Sequence, residues 1–155
     1  MQEVTINKVA RLSEHFTLGE MCKTSVKMAD GNIPSHVHIE NLKRLCGWLE
    51  KLRSEWNKRY GEGDDPIIIN SGYRSEAVNR AVGGVPSSNH LTGCAVDIHV
   101  ENMQQLLRYA VILLDIADES KEAFDELLIE KNARGAIWLH FAVRHKGNRM
   151  RIRMM

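Results

Sequence analysis

Ten residues constrain this chain more than all the others: Ser88-Asn89-His90-Leu91-Thr92-Gly93-Cys94-Ala95-Val96-Asp97, with the pattern S-x-H-x-x-G-x-A-x-D. A further histidine, His140, follows 43 residues after Asp97, in Trp138-Leu139-His140. Two imidazoles and one carboxylate form the ligand set of an open catalytic zinc site, in which three protein ligands leave a fourth position for water. His90 and Asp97 are seven residues apart in sequence, roughly 23–25 Å along an extended chain. Two ligands of one ion lie far closer than that. The chain between them must double back, and Gly93 is where a glycine permits the bend.

The rest of the sequence sets bounds around that segment. The chain has 155 residues, 43% of them hydrophobic, which suits one compact domain over residues 1–155. A net charge of +1, from Lys+Arg 21 against Asp+Glu 20, gives no electrostatic case for nucleic acid or a membrane surface. No apolar run approaches the ~20 residues of a membrane span. The start, Met-Gln-Glu-Val-Thr-Ile-Asn-Lys, lacks the apolar stretch of a secretory signal, which points to synthesis in the cytoplasm. Cys22, Cys46 and Cys94 are odd in number and widely spread, the pattern of reduced thiols rather than of a disulfide framework. His15, His36, His38 and His145 sit in polar surroundings and receive no role. On oligomeric state the sequence is silent.

Residues 1–35 form a leading segment in which Thr17 and Glu20 make a capping-box pattern for a short helix. From about His36 to Arg59, Ile39, Leu42, Leu45, Leu49, Leu52 and Trp56 recur at intervals of three and four, one face of a long amphipathic helix. Gly61–Pro66 ends it, and Ile67-Ile68-Ile69 reads as a short buried strand. Ser75 caps a helix running to Val82, with Gly83-Gly84 as its stop. A second long helix spans about Met103–Ala117, with Leu106, Leu107, Ala110, Leu113 and Leu114 facing inward. The predicted fold is α+β: a small antiparallel sheet packed against two long helices.

Strand phase decides where the chemistry points. In Ala95–Val100, Val96, Ile98 and Val100 share one face, and Ala95, Asp97 and His99 the other. In Trp138–Val143, Leu139, Phe141 and Val143 share the apolar face, which leaves Trp138, His140 and Ala142 opposite. Packing both aliphatic faces inward turns Asp97 and His140 to the same open side. In Asp125–Glu130, Leu127 and Ile129 go inward while Leu128 and Glu130 join the site face. With a hairpin turn centred near Arg134, Glu130 stands opposite Trp138 and diagonal to His140, about 7–8 Å away. A carboxylate there can act as a general base on a metal-bound water without being a ligand. Glu126, on the same face, is its rival.

Other residues carry weaker signals. Cys94 lies between His90 and Asp97, but its phase makes it a small buried thiol with Val96. His99 shares the Asp97 face, where a contact behind the ligands or with a substrate is open, but a plain surface histidine is the favoured reading. Arg74, after the first strand, can clamp a carboxylate bidentately or make a surface ion pair. Ser88 can add a hydrogen bond near a substrate. Residues 144–155, with Arg144, Lys146, Arg149, Arg151 and Arg153, read as a solvated basic tail.

The segments Ser71-Gly72-Tyr73-Arg74-Ser75, Asn79-Arg80-Ala81-Val82-Gly83-Gly84, Ser88 to Asp97, and Trp138-Leu139-His140 resemble the D-Ala-D-Ala carboxypeptidase-type zinc peptidases. That group includes bacterial peptidoglycan carboxypeptidases and phage endolysins, and shares its metal fold with the hedgehog signalling domain. The likeness runs from about residue 12 to 143, and Phe16-Thr17-Leu18-Gly19-Glu20 looks like the start of the phage and prophage branch. The resemblance implies one zinc ion on His90, Asp97 and His140, Arg74 holding a substrate carboxylate, and a glutamate near the last histidine as base. It also implies hydrolysis of peptidoglycan stem peptides, either as a D,D-carboxypeptidase or as an L,D-type endopeptidase, at the cell wall after release or on a virion. Ile137 stands where many members have an acidic residue three positions before the final histidine, and Glu130 matches the members whose base lies farther upstream at a strand end only with a lengthened hairpin loop. A non-catalytic zinc module, binding cell wall or serving as a phage structural part, would need the ligands but no base.

Overall fold

Each helix begins where the local chemistry satisfies its first free N–H groups. Thr17 Oγ1 accepts from Glu20 N while the Glu20 carboxylate accepts from Thr17 N, and this box opens α1 (Leu18–Met21). Ser35 caps α2 (His36–Arg59), with His38 Nδ1 accepting from Ser35 N to close a second box. Ser75 caps α3 (Glu76–Ala81), and Asn102 caps α4 (Met103–Ser120). Along α2, Leu42, Leu45, Leu49 and Leu52 are fully buried, as the three-and-four spacing requires. Along α4, Leu106, Ala110 and Leu113 are buried, but Leu107 is 48% exposed. Leu107 lies a step of about 100° from Leu106, enough to carry it off a stripe that narrow. The structure is a computed structural model that describes residues 6–155; residues 1–5, within the stretch read for a signal, lie outside it.

Five strands form one sheet in the order β1-β2-β4-β3-β5. They are β1 (Ile69–Ser71), β2 (Ala95–His99), β3 (Glu126–Lys131), β4 (Ile137–Ala142) and β5 (Arg151–Met154). The pairs β1–β2, β2–β4 and β4–β3 are antiparallel, and β5 runs parallel to β3. The strand expected at Ile67–Ile69 begins only at Ile69: Ile67 and Ile69 are buried while Ile68 is 43% exposed, so just one face of this edge is covered. Between β3 and β4, Asn132 Oδ1 accepts from Arg134 N and Ala136 N, and the turn centres on Arg134 as expected. The resulting register sets Glu130 opposite Trp138 and Leu128 opposite His140. On the other side of β4, Asp97 lies directly opposite His140.

One face of the sheet is the core. Val96, Ile98, Leu127, Leu139 and Phe141 pack with α2 and α4, each ring or branched side chain contributing roughly 1.5–3 kcal/mol by burial. Aromatic edges lock this layer: Trp48 of α2 lies 5.4 Å from Phe141 and 6.5 Å from Phe124, and Trp56 meets Tyr109 of α4 at 5.0 Å. Cys22, Cys46 and Cys94 are free and buried. Burial pushes the first two thiols up to about 12 and raises the third, so none is a reactive thiolate. Among the described residues, no helix is long and apolar enough to cross a membrane.

The C-terminal segment corrects the sequence reading. Residues 144–155 do not form a solvated tail: they fold back, and β5 adds to the edge of β3 in register Glu126↔Arg151 and Leu128↔Arg153. The physical reason is an alternation hidden by the charge count. Arg149, Arg151 and Arg153 interleave with Met150, Ile152 and Met154, a strand period of two. Arg149 then chelates Asp125, donating from Nε to Oδ1 at 2.9 Å and from Nη2 to Oδ2 at 2.8 Å.

Candidate metal centre

The uncovered face of the sheet carries the site. His90 sits on a single 3-10 turn, Asn89–Thr92, which Ser88 caps by accepting from His90 N at 3.1 Å. Gly93 follows in the left-handed region at φ +76°, and a Cβ there would lie 2.6 Å from the His38 carbonyl oxygen. Conformation and space both demand glycine, and the doubling back occurs where the sequence required it. The turn brings His90 against Asp97 of β2 and His140 of β4. These three buried residues offer donor atoms that all lie within 4.8 Å of one another.

Hydrogen bonds select which atoms converge. His90 Nδ1 lies 2.7 Å from the Gly72 carbonyl, so that nitrogen carries the proton and Nε2 faces Asp97 Oδ1 at 3.3 Å. His140 Nδ1 faces the same Asp97 Oδ1 at 3.1 Å, while its Nε2 lies 3.1 Å from Glu126 Oε1. Each imidazole thus has one nitrogen fixed by an outer acceptor and the other turned to the centre, the arrangement metal-binding histidines adopt. Two imidazole nitrogens and a carboxylate oxygen, with room for a fourth partner, fit a tetrahedral zinc.

The charges are tightly compensated. Burial disfavours an ionised Asp97, but His90 and His140 outweigh it and hold the carboxyl well below its usual range. Burial likewise disfavours a charged His140, yet its hydrogen bonds to Asp97 and Glu126 raise it to about 9. A proton is thereby held among donors arranged for a cation, and a divalent metal held by them would take its place.

The two glutamates of β3 have different surroundings. Glu126 is drawn below its ordinary value by its hydrogen bond to His140, burial opposing and Asn89 assisting. Asn89 Nδ2 donates to Glu126 Oε1 at 2.7 Å and to Asp125 Oδ2 at 2.8 Å, and Arg144 Nε donates to Asn89 Oδ1. Glu130 is raised, chiefly by burial. Its Oε1 lies 3.7 Å from His140 Nδ1, on the side of the converging donors, and Trp138 Nε1 donates to its Oε2 at 3.1 Å.

Arg74 spends three N–H groups inside the protein. Nε donates to Ser71 Oγ, Nη1 to Asn79 Oδ1, and Nη2 to Asp97 Oδ2 at 3.1 Å. Its ion pair is therefore with the Asp97 carboxylate of the converging donors, and two N–H groups remain for a ligand. His99 pairs with Glu101 at the surface, which leaves it the plain reading. A cleft of about 490 Å³ opens over the centre, and Arg74, Ser88, Arg144, Arg149 and Arg151 are among the residues that line it. A hollow of about 530 Å³ beside His15 and Glu50 lies elsewhere and holds no comparable donor group among the described residues. Sequence reasoning missed Asn89 and Asp125. A buried asparagine inside the His90 motif and an acid beginning β3 were the available signals.

The chain is 28% identical over 100 residues to the zinc D-Ala-D-Ala carboxypeptidase of Streptomyces albus G, an alignment covering 61% of this chain and 37% of that protein. The matched region therefore spans little more than a third of that relative's length. The crystal structure of the Serratia marcescens L-Ala D-Glu endopeptidase ChiX matches with 23% identity and a TM-score of 0.40, covering 70% of this chain and 87% of that one. The family described as Peptidase M15 matches residues 14–115, which include Arg74, His90 and Asp97. On that match, which takes in well over half of its length, this chain belongs to the Peptidase M15 family.

Proposed function

We propose that this protein is a zinc-dependent peptidase that hydrolyses peptide bonds in bacterial peptidoglycan. The observation that carries the reading is the convergence of His90, Asp97 and His140 within 4.8 Å, with the half-buried Glu130 carboxylate beside them. The name of the Streptomyces albus G relative, a zinc D-Ala-D-Ala carboxypeptidase, supports the metal and the substrate class. The phage association rests on the Phe16–Glu20 sequence and belongs to the same proposal.

When bound to these three residues, zinc would polarise a scissile carbonyl and bring a water towards a pKa of ~7. The chain's own groups do the rest. Glu130 takes a proton at Oε1 and returns it to the leaving amine, its basicity raised by burial. Trp138 holds Oε2 and so aims the other oxygen. Glu126 keeps the His140 ring oriented from behind. Arg74 steadies Asp97 and directs its remaining N–H groups to a substrate carboxylate, which positions the bond to be cut. Ser88 serves first as the cap of the His90 turn and contacts substrate only from the cleft wall.

A non-catalytic zinc module would have no use for a second carboxylate 3.7 Å from His140 Nδ1, and Glu130 therefore favours the enzyme. Digestion of purified peptidoglycan by the zinc-loaded protein, followed by mass spectrometry, tests the reading. New amino termini or released D-Ala are expected, and their identity reveals which bond is cut. Unchanged muropeptides after prolonged digestion would refute it.

A further inference from the structure

The cleft holds four arginines, and three are committed. Arg74 is paired with Asp97, while Arg144 and Arg149 are both paired with Asp125. Arg151 lines the same cleft, yet among the described residues no carboxylate lies within 4.0 Å of its guanidinium, and its buried Nε has no hydrogen-bond partner. Its register neighbour Glu126 is occupied by His140 and Asn89. A buried donor without an acceptor is costly, and a charged one more so. A planar carboxylate answers it best, because it accepts from two guanidinium N–H groups at once.

Strand order gives this cation a position relative to the chemistry. Arg74 follows β1 at one edge of the sheet, Arg151 belongs to β5 at the other, and the converging donors stand between them on β2 and β4. Three strand spacings separate β2 from β5, roughly 14 Å, or about four residues of extended peptide. Part of that distance is covered by the long arginine side chain.

We propose that Arg151 forms a second carboxylate subsite, on the side of the centre opposite Arg74, and selects peptides with a free acid group about two or three residues from the scissile bond. The inference deepens the peptidase reading by naming what the substrate must carry, and it rests on that reading for its substrate class. It favours substrates that extend across the centre over those trimmed at one end.

The test uses two synthetic stem peptides that differ only in whether one side-chain carboxylate is free or amidated. Binding is measured by calorimetry on the zinc-loaded Glu130→Gln protein, and hydrolysis on the zinc-loaded wild type. The free acid should bind roughly tenfold to a hundredfold more tightly than the amide. Arg151→Gln should abolish that preference, and Arg151→Lys should retain part of it, since a lysine keeps the charge without the fork. Thermal unfolding and zinc content verify that each variant is intact. Equal affinity for acid and amide, or a preference that survives Arg151→Gln, would overturn the inference. If the Glu130→Gln protein binds with the expected preference but the wild type cleaves neither peptide, the subsite stands and the peptidase reading falls.

Discussion

Glu126 and Glu130 lie on the same face of one strand and meet opposite sides of a single imidazole. Glu126 accepts from Nε2 of His140, while Glu130 sits by Nδ1. Their environments push their acidities apart, the first down through hydrogen bonds and the second up through burial. In the proposed reaction such a split suits the raised carboxylate to the role of base and the lowered one to that of orienting acceptor. Glu130→Gln should therefore lower turnover by roughly 10²–10⁴ while zinc affinity, read by competition with a chelating dye, changes little. Glu126→Ala should do the reverse in its first effect, weakening zinc by roughly 10–100-fold, with Glu126→Gln intermediate. Equal zinc affinity in wild type and Glu126→Ala would remove its orienting role. Ligand type and strand phase are local, so the convergence of His90, Asp97, His140 and Glu130 on one face was legible in the sequence. Which ring nitrogen each glutamate meets depends on rotamers set by Asn89 and Trp138 across strands, and no period-two pattern carries that.

Among elements, β5 was the least legible and has the clearest energetic signature. Caps and apolar spacing are written in neighbouring residues, so α2 was readable to its ends; β5 exists only because β3 offers a free edge and Asp125 a fixed anion. The Asp125 side chain is wholly buried and, although burial opposes its ionisation, Arg149 and Asn89 hold its pKa down to about 2. The folded value is depressed relative to an unfolded one near 3.9. Its stabilisation is thus fully present above pH 4 and disappears as pH falls through about 2. The shift corresponds to about 2 kcal/mol. Asp125→Asn should accordingly be less stable than wild type at pH 5, with the gap narrowing by about 2 kcal/mol towards pH 2. Denaturant unfolding at the two pH values measures it. A gap independent of pH would mean that Asp125 contributes by hydrogen bonding alone.

At the scale of the whole molecule, the three donors tie together parts of the chain that the core does not join directly. His90 lies on a turn held by Gly72 and Asp97, whereas Asp97 and His140 belong to central strands whose other face is packed on α2 and α4. A cation on all three would bind only the folded chain, because unfolding separates residues that are 43 positions apart along the sequence. Stabilisation then follows from mass action: free zinc at 100 times its dissociation constant adds about 2.7 kcal/mol. For a chain of this length each kcal/mol moves the melting temperature by about 2–4 °C, so chelation should lower it by about 5–10 °C. Calorimetry of the zinc-loaded and chelator-treated protein tests this, with His140→Ala as the reference that should not respond. In the proposed ligand set, the loss of this imidazole would leave two ligands from the segment Ser88–Asp97 alone. A wild type whose melting temperature ignores chelation would mean that the buried charges of the cluster satisfy one another without a metal. In that case His140→Ala would destabilise the apoprotein as strongly as the loaded one, because Asp97 and Glu126 would lose their shared partner in both.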